Sequence, residues 1–202
     1  MKTKRSEKGK AKVLNKSQFN RVIKYQSTTR HGLRNILLMH LSVFLMMRSK
    51  EMSSLVIGDV VDANGDLFDE CTLRTHQTKN NKQRRFYLTN AKVIKALTDY
   101  LEIRKDQNGC LDLDSPLITN QMSGKFSPNT MQQLFHDMYK CVGLIGYSSH
   151  SGRRTGCSKL AENGISIHNL MTLMGHQNIS TTALYIAENP VLLGRISESH
   201  SL

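Results

Sequence analysis

The chain of 202 residues has no tryptophan, only three prolines and only 6% aromatic residues. Zinc knuckles need closely paired cysteines such as C-x-x-C, and the absence of any such pair disfavours them. Since no signal peptide is recognised, the thiols are expected to be reduced. The apolar run at residues 33–47 is interrupted by Arg34, Asn35 and His40 and is shorter than the ~20 residues of a membrane-spanning helix. We therefore expect a cytoplasmic globular protein with no membrane partner. The four cysteines are Cys71, Cys110, Cys141 and Cys157.

Acidic residues are scarce beside basic ones, with 16 Asp/Glu against 28 Lys/Arg and a net charge of +12. Residues 1–34 hold 11 basic residues and one acidic residue, a net of +10, which leaves +2 for the other 168. A basic segment on a near-neutral body is typical of an arm that follows a nucleic-acid backbone. The alternative is a solvated tail that keeps the protein soluble. We predict that residues 1–12 form a flexible basic arm.

Apolar periodicity divides the rest of the chain into helices on both sides of a short β region. Helices are expected at residues 14–25, with Ser17 as N-cap, at 33–48 and at 49–55. Short β-prone runs between residues 56 and 89 predict about three antiparallel strands, with a turn at Asn64-Gly65 and a polar loop at 76–83. The predicted fold is thus mainly α with a small three-stranded antiparallel sheet. Later helices are expected from residue 90, with a loop at 106–115, then at 127–141, 150–163 and 166–174, and after an N-cap at Ser180.

Two histidines, an arginine and a tyrosine follow one another near the C-terminus, in H-S-G-R, L-M-G-H and T-T-A-L-Y. His150 and Arg153 are three residues apart and share one face of the predicted helix. Gly175 ends the next helix and places His176 in the turn beyond it. A guanidinium binds phosphate oxygens in bidentate fashion, and a tyrosine hydroxyl can attack phosphorus if a base or a cationic pocket activates it. This order of residues favours phosphoryl transfer without a metal, with Tyr185 as the nucleophile.

Two further basic residues fit the same chemistry. Arg48, in R-S-K-E after the buried helix, supplies a second guanidinium, and Lys79, in the polar loop, can protonate a departing alkoxide. Each residue alone has a simpler explanation, since tyrosines are commonly packed, arginines form ion pairs and loop lysines are solvated. Only the combination indicates a site.

The three motifs resemble those of the tyrosine recombinase (phage integrase) family, in which H-x-x-R precedes L-G-H and a tyrosine lies nine positions after that histidine. Here His176 and Tyr185 are nine positions apart. Arg48 matches the first arginine of the family and Lys79 its β-hairpin lysine, and the resemblance covers roughly residues 15–190. Two positions depart from the common pattern: Gly152 replaces an apolar residue and Arg154 replaces a histidine.

The resemblance implies a site-specific DNA recombinase that needs no ATP, metal or other cofactor. Its tyrosine would attack a DNA phosphodiester, giving a 3′-phosphotyrosyl bond and a free 5′-hydroxyl. The implied roles are phosphate binding by Arg48 and Arg153, leaving-group protonation by Lys79, acid–base catalysis by His150, phosphate hydrogen bonding by His176 and nucleophilic attack by Tyr185.

The implied partner is double-stranded DNA in the nucleoid of a prokaryotic cell. Strand exchange would need a homotetramer on paired DNA sites, formed from free monomers or dimers, together with accessory DNA-bending proteins. Basic residues of the arm and of the expected DNA face are predicted to contact the phosphate backbone. They are Lys2, Lys4, Arg5, Lys8, Lys10, Lys12, Lys82, Arg84 and Arg154.

The predicted domain order is the arm at 1–12, a catalytic domain at 13–190 and a tail at 191–202, whose apolar residues can dock on the same subunit or on a neighbour. Most relatives carry a separate core-binding domain, which is not recognised here; small recombinases of fimbrial phase-variation switches also lack one, and a fragment is the alternative. Three other functions remain open. They are DNA binding without catalysis, nicking and closing as in type IB topoisomerases, and RNA binding, which the lack of an aromatic stacking platform disfavours.

Overall fold

A computed structural model describes residues 11–78 and 82–183 of the chain. Helices dominate this part, and the short strands lie between the third and fourth helix. In chain order, the helices and strands are α1 (Lys16–Gln26), α2 (Gly32–Phe44), α3 (Ser49–Ser54), a 3-10 turn (Ile57–Asp59), β1 (Glu70–Leu73), a second 3-10 turn (Thr75–Gln77), β2 (Arg84–Tyr87), α4 (Ala91–Asn108), α5 (Pro128–Lys140), α6 (Ser149–Glu162), α7 (Ile167–Met174) and α8 (Ile179–Ala183).

Helix α2 lies at the centre of the fold, between α4 and α6. Its apolar residues occur on every side, as in other helices that are surrounded by protein, and most of them are buried. The chain leaves α2 through Met46, whose φ of 51° is in the left-handed region. This sharp turn brings Arg48 to the end of the central helix. The buried apolar residues of α2 include Leu37, Leu38, Met39 and Leu41.

Helix α6 approaches α2 so closely that two glycines are required at the contact. A Cβ atom on Gly156 would overlap the carbonyl oxygen of Val43 and lie 2.8 Å from Cγ of Met46. A Cβ on Gly152 would overlap the hydroxyl of Ser42. The glycine at position 152, where the family often has an apolar residue, therefore serves helix packing. This contact holds Arg153 against the end of α2.

The described residues contain a two-stranded antiparallel sheet rather than the three strands expected. β1 pairs with β2 in a register that places Leu73 opposite Arg84. The V-I-G-D-V-V segment does not extend this sheet, because the Asp59 side chain accepts a hydrogen bond from the backbone N–H of Val56 and the chain turns into a 3-10 helix. Its remaining β character is confined to isolated bridges.

Most helix positions agree with the predictions, and four boundaries do not. Helix α2 ends at Phe44 rather than at Arg48, and Met46 then takes up the left-handed conformation. The N-cap of α1 is Asn15 rather than Ser17, because the side chain of Asn15 accepts the N–H of Gln18. Helix α4 continues through the predicted loop start to Asn108, where a glycine with positive φ follows. The side chain of Asn178 accepts the N–H of Ser180, so Ser180 lies inside α8 and is not its cap. The N-cap of α5, Ser127, is confirmed.

The last two residues of the predicted arm belong to the folded body. The Lys12 ammonium donates to the carbonyl of Ile145 at 3.1 Å, and Arg154 donates to the carbonyl of Ala11 at 2.9 Å. The boundary of the arm at residue 12 stays a prediction, beside these hydrogen bonds of Ala11 and Lys12 to the domain. In the described ranges, no helix is both long enough and apolar enough to cross a membrane.

Candidate active site

Arg48 and Glu51 are joined by two hydrogen bonds at the start of α3. Arg48 is the N-cap residue of this helix, and its backbone N–H donates to Oε2 of Glu51 at 2.7 Å. Its guanidinium donates to Oε1 of the same carboxylate, also at 2.7 Å. The three-residue spacing of R-S-K-E therefore places the carboxylate where it orients the first arginine.

Glu51 is fully buried and carries the negative charge of the site. Burial by itself raises the pKa of this carboxyl, but the guanidiniums of Arg84, Arg153 and Arg48 and the hydrogen bond from the backbone N–H of Arg48 together lower it by more. The net result is a pKa below the usual range, so Glu51 is ionised at neutral pH. Sequence reasoning assigned no role to this residue, although its place in R-x-x-E was visible.

Arg153 is buried and bonded to the segments on both sides of it. It donates to the carbonyl of Met46 and, at 2.6 Å, to the carbonyl of Met174. Its Nη2 also lies 3.1 Å from Nε2 of His176. His150 lies one turn earlier on the same helix and is exposed. The structure thus brings Arg153 and His176 into direct contact.

His176 follows Gly175, which ends α7 with a φ of 61°. Since arginine only donates, Nε2 of His176 accepts from Arg153 and Nδ1 carries the proton, which it donates to Oγ1 of Thr182 at 2.9 Å. Thr182 is fully buried and joins this histidine to α8. Sequence reasoning missed Thr182, although it lies in the T-T-A-L-Y motif.

The imidazole of His176 is neutral at pH 7. Burial lowers its pKa most, and the nearby charges of Arg153, Arg48 and Arg84 lower it further, to about 4. Glu51 opposes this shift without reversing it. A neutral imidazole adds no charge to the site, whereas the arginines supply the positive charge.

Arg84 is not on the surface, in contrast to its predicted contact with DNA. It is only 6% exposed, and its guanidinium forms an ion pair with Glu51 at 2.7 Å. Strand β2 turns alternate side chains inward, so that Arg84 faces the core and Arg85 faces solvent, and the DNA contact of Arg84 stays a prediction. Lys82, two residues earlier, is exposed.

A pocket of about 180 Å³ opens beside these residues and is large enough for a phosphate group. Arg48, Arg84 and His176 line it, together with Lys82. Among the described residues, no group of three or more histidines, cysteines or acidic residues could bind a metal ion. A larger pocket, of about 660 Å³, lies at the opposite end of α2 and contains none of the predicted catalytic residues.

Two of the six predicted catalytic residues, Lys79 and Tyr185, lie outside the described residues. The same holds for the DNA contacts predicted at Lys2, Lys4, Arg5, Lys8 and Lys10, and for the tail at 191–202. The roles of Lys12 and Arg154 in DNA binding stay predictions, beside their observed contacts with Ile145 and Ala11.

Comparison with known proteins places this geometry in one family. Residues 12–191 match the family model of the phage integrase family. Tyrosine recombinase XerC of Caldanaerobacter subterraneus is 35% identical over 132 residues, covering 64% of this chain and 36% of that protein. The TnP I resolvase of Bacillus thuringiensis is 30% identical over 161 residues, covering 79% of this chain and 52% of the resolvase. The chain thus spans between about a third and a half of the length of these two relatives.

A third relative is of similar length to this chain. The type 1 fimbriae regulatory protein FimB of Escherichia coli is 29% identical over 193 residues, covering 94% of this chain and 90% of FimB. Among solved structures, that of XerA recombinase superposes with a TM-score of 0.74 at 22% identity, covering 96% of this chain and 67% of that one. The mainly helical fold with its small antiparallel sheet is therefore shared with the recombinases, and the chain belongs to the phage integrase family.

Proposed function

We propose that the protein is a site-specific DNA recombinase that cuts and rejoins strands through a covalent bond to Tyr185. The observation that carries this proposal is the cluster of Arg48, Arg153 and His176 around the buried carboxylate of Glu51. These groups come from three separate segments and meet beside a phosphate-sized pocket. Family membership supports the same chemistry.

The charges of the cluster fit a phosphate that gains negative charge during the reaction. Three guanidiniums and one carboxylate give a net of +2, since 3 − 1 = 2, and the neutral His176 adds nothing. A phosphodiester carries one negative charge, and the pentavalent phosphorane carries two. Fixed positive charge at the site stabilises the second state more than the first.

The proposed step forms one phosphorus–oxygen bond and breaks another. The oxygen of Tyr185 attacks phosphorus as the bond to the 5′-oxygen breaks, and His150 accepts the tyrosine proton. Lys79 donates a proton to the departing 5′-oxygen. The phosphotyrosyl bond keeps the energy of the original phosphodiester, so attack by another 5′-hydroxyl reverses the step without ATP.

The test is a covalent adduct on a nicked duplex. The full chain selects duplexes from a random-sequence pool, and a nick is then placed so that the short 5′-hydroxyl strand diffuses away after cleavage. We expect a protein–DNA adduct that resists denaturant in the wild type and in the control Tyr87→Phe, which changes an exposed tyrosine of β2. Tyr185→Phe should bind the same DNA and form no adduct.

Each other outcome identifies a different function. An adduct that persists in Tyr185→Phe would refute the assignment of the nucleophile. Binding without any adduct in the wild type would favour a DNA-binding relative that has lost catalysis. Relaxation of supercoiled DNA that carries no selected site would favour a type IB topoisomerase-like activity.

We further propose that the protein acts on double-stranded DNA in the nucleoid as a tetramer on paired sites, with accessory DNA-bending proteins. One lambda integrase structure contains a dimer bound to a core site. The expected masses are those of a monomer or dimer for the free protein and of four chains with two duplexes for the complex. Light scattering after size-exclusion chromatography measures both, and a single chain on each duplex at saturation would contradict the tetramer.

A further inference from the structure

The buried side chain of Arg84 donates hydrogen bonds to three separate segments of the site. Its Nη1 donates to Oε2 of Glu51 and its Nη2 to the carbonyl of Leu45, both at 2.7 Å. Its Nε donates to the carbonyl of Leu173 at 2.9 Å. Leu45 precedes Arg48, and Leu173 lies in the last turn of α7, just before His176. One planar guanidinium thus holds the segment of the first arginine and the segment of the second histidine against strand β2.

The carboxylate of Glu51 lies within reach of more than one guanidinium. Its Oε2 accepts from Arg84 at 2.7 Å, while Nη1 of Arg153 lies 4.0 Å from the same oxygen. Both arginines are buried, and a buried carboxylate attracts any guanidinium that can approach it. Arg84 therefore occupies the position on Oε2 that Arg153 is near enough to take.

We propose that Arg84 is a positioning residue that holds Oε2 of Glu51 and thereby keeps Arg153 bonded to Met46 and Met174, beside His176. Without Arg84, the carboxylate would draw Arg153 toward itself and away from the carbonyls of Met46 and Met174. The expected change in the rate of adduct formation rests on the proposed recombinase function. The expected change in the position of His176 does not depend on that function.

The aliphatic part of Arg84 supports the turn that carries His176. A Cβ atom on Gly175 would lie 2.8 Å from Cδ of Arg84, so the backbone of this turn rests directly on the side chain. Strand β2 follows the loop that contains Lys79 in the sequence. Arg84 thus joins this hairpin to the turn that bears His176, and a change at Arg84 is expected to move His176.

Lysine should replace Arg84 only in part. A lysine ammonium can keep one charged contact with Glu51, but it does not reproduce three donors in one plane directed at three separate acceptors. Glutamine has a similar length and lacks the charge. It should lower the net charge of the cluster from +2 to +1 and release Glu51 toward Arg153.

The experiment compares Arg84→Gln and Arg84→Lys with a matched control, Arg85→Gln. Arg85 is the next residue of β2, has a side chain that is 69% exposed, and pairs with Glu70 at the surface. Three quantities are measured on the full chain: the single-turnover rate of adduct formation on the nicked duplex at saturating DNA, the dissociation constant for that duplex, and the pKa of His176 by NMR.

For Arg84→Gln, we expect adduct formation about 100-fold slower than in the wild type, as displaced catalytic groups typically produce, with a dissociation constant within about threefold. The rate of Arg84→Lys should recover by about tenfold, since the charge returns without the full geometry. The pKa of His176 should rise in Arg84→Gln, because a nearby positive charge is lost, and stay unchanged in the control.

Several results would overturn the proposal. A folded Arg84→Gln that forms the adduct within about threefold of the wild-type rate would show that Arg153 needs no such partner. A loss of DNA affinity as large as the loss of rate would mean that Arg84 contacts DNA after all. If Arg84→Gln does not fold, Arg84→Lys decides: a rate equal to that of the wild type refutes the positioning role.

A failure of the proposed function gives a different result. The wild type would then form no adduct on any selected duplex, and the kinetic comparison would be replaced by the NMR measurement. The pKa of His176 in Arg84→Gln would still be expected to rise. An unchanged pKa in a folded Arg84→Gln would refute the positioning role without reference to catalysis.

Discussion

The stability of the protein should fall steeply as the pH is lowered from 6.5 to 4, and His176 should be a main cause. In the folded protein, burial and then the charges of Arg153, Arg48 and Arg84 lower the pKa of this imidazole from 6.5 to about 4. The unfolded chain binds the proton near pH 6.5. Between these values the unfolded state holds more protons than the folded state, so acid favours unfolding.

The size of the effect follows from the two pKa values. The stability that depends on a neutral His176 is fully present above pH 6.5 and is lost as the pH falls toward 4. At about 1.4 kcal/mol for each tenfold change in proton affinity, the full shift corresponds to at most about 3.5 kcal/mol. Because the site opens to a pocket that solvent can enter, we expect the stability lost between these pH values to be about 2 kcal/mol.

The assay is chemical denaturation of the wild type and of His176→Gln at a series of pH values from about 4 to about 7.5, which span the two pKa values. The glutamine side chain cannot titrate, so the variant should lose about 2 kcal/mol less stability than the wild type over this range. His136→Gln, at an exposed histidine of α5, is the control and should follow the wild type. Equal pH dependence of the wild type and His176→Gln would refute the reasoning, because it would mean that the charges around His176 do not alter its protonation.

Three further substitutions test contacts that hold the site together. Gly156→Ala should reduce the free energy of unfolding by about 3 kcal/mol, because its Cβ overlaps Val43, while Lys159→Ala on the exposed face of α6 should change it by less than about 0.5 kcal/mol. Thr182→Val should cost about 1–3 kcal/mol by leaving the Nδ1–H of His176 without an acceptor, and Thr182→Ser should restore most of this. Leu14→Ala should cost about 2–5 kcal/mol if the chain before α1 is part of the core, and the exposed Val13→Ala should cost little. Urea denaturation measures all of these, and equal effects of a substitution and its control would contradict the contact concerned.

Local patterns predicted the helices because the signals for them lie within a few residues. Apolar spacing placed α2, and the Ser127-Pro128 pair placed the start of α5. Gly175 ends α7 in the left-handed conformation that favours glycine, as its position before His176 indicated. The missing third strand has an equally local cause, the side chain of Asp59 that accepts the N–H of Val56, but the β-prone residues around it obscured this signal.

Contacts between distant segments could not be predicted in the same way. Gly152 and Gly156 look like weak points of a helix until α2 is seen to touch them. Ala11 and Lys12 look like part of the basic arm until their bonds to Arg154 and Ile145 are known. In each case the residue types are ordinary, and the partner lies in a distant part of the chain.

The sequence by itself determined the order and spacing of the predicted catalytic residues and the family to which they belong. It also determined the pairing of Arg48 with Glu51, since three residues at the start of a helix bring the two side chains together. Only the tertiary structure decided what each arginine does. A positive charge in the sequence suggests a surface, but Arg84 faces the core, where an ion needs an opposite charge and bonded acceptors, and Glu51 with two backbone carbonyls supplies them.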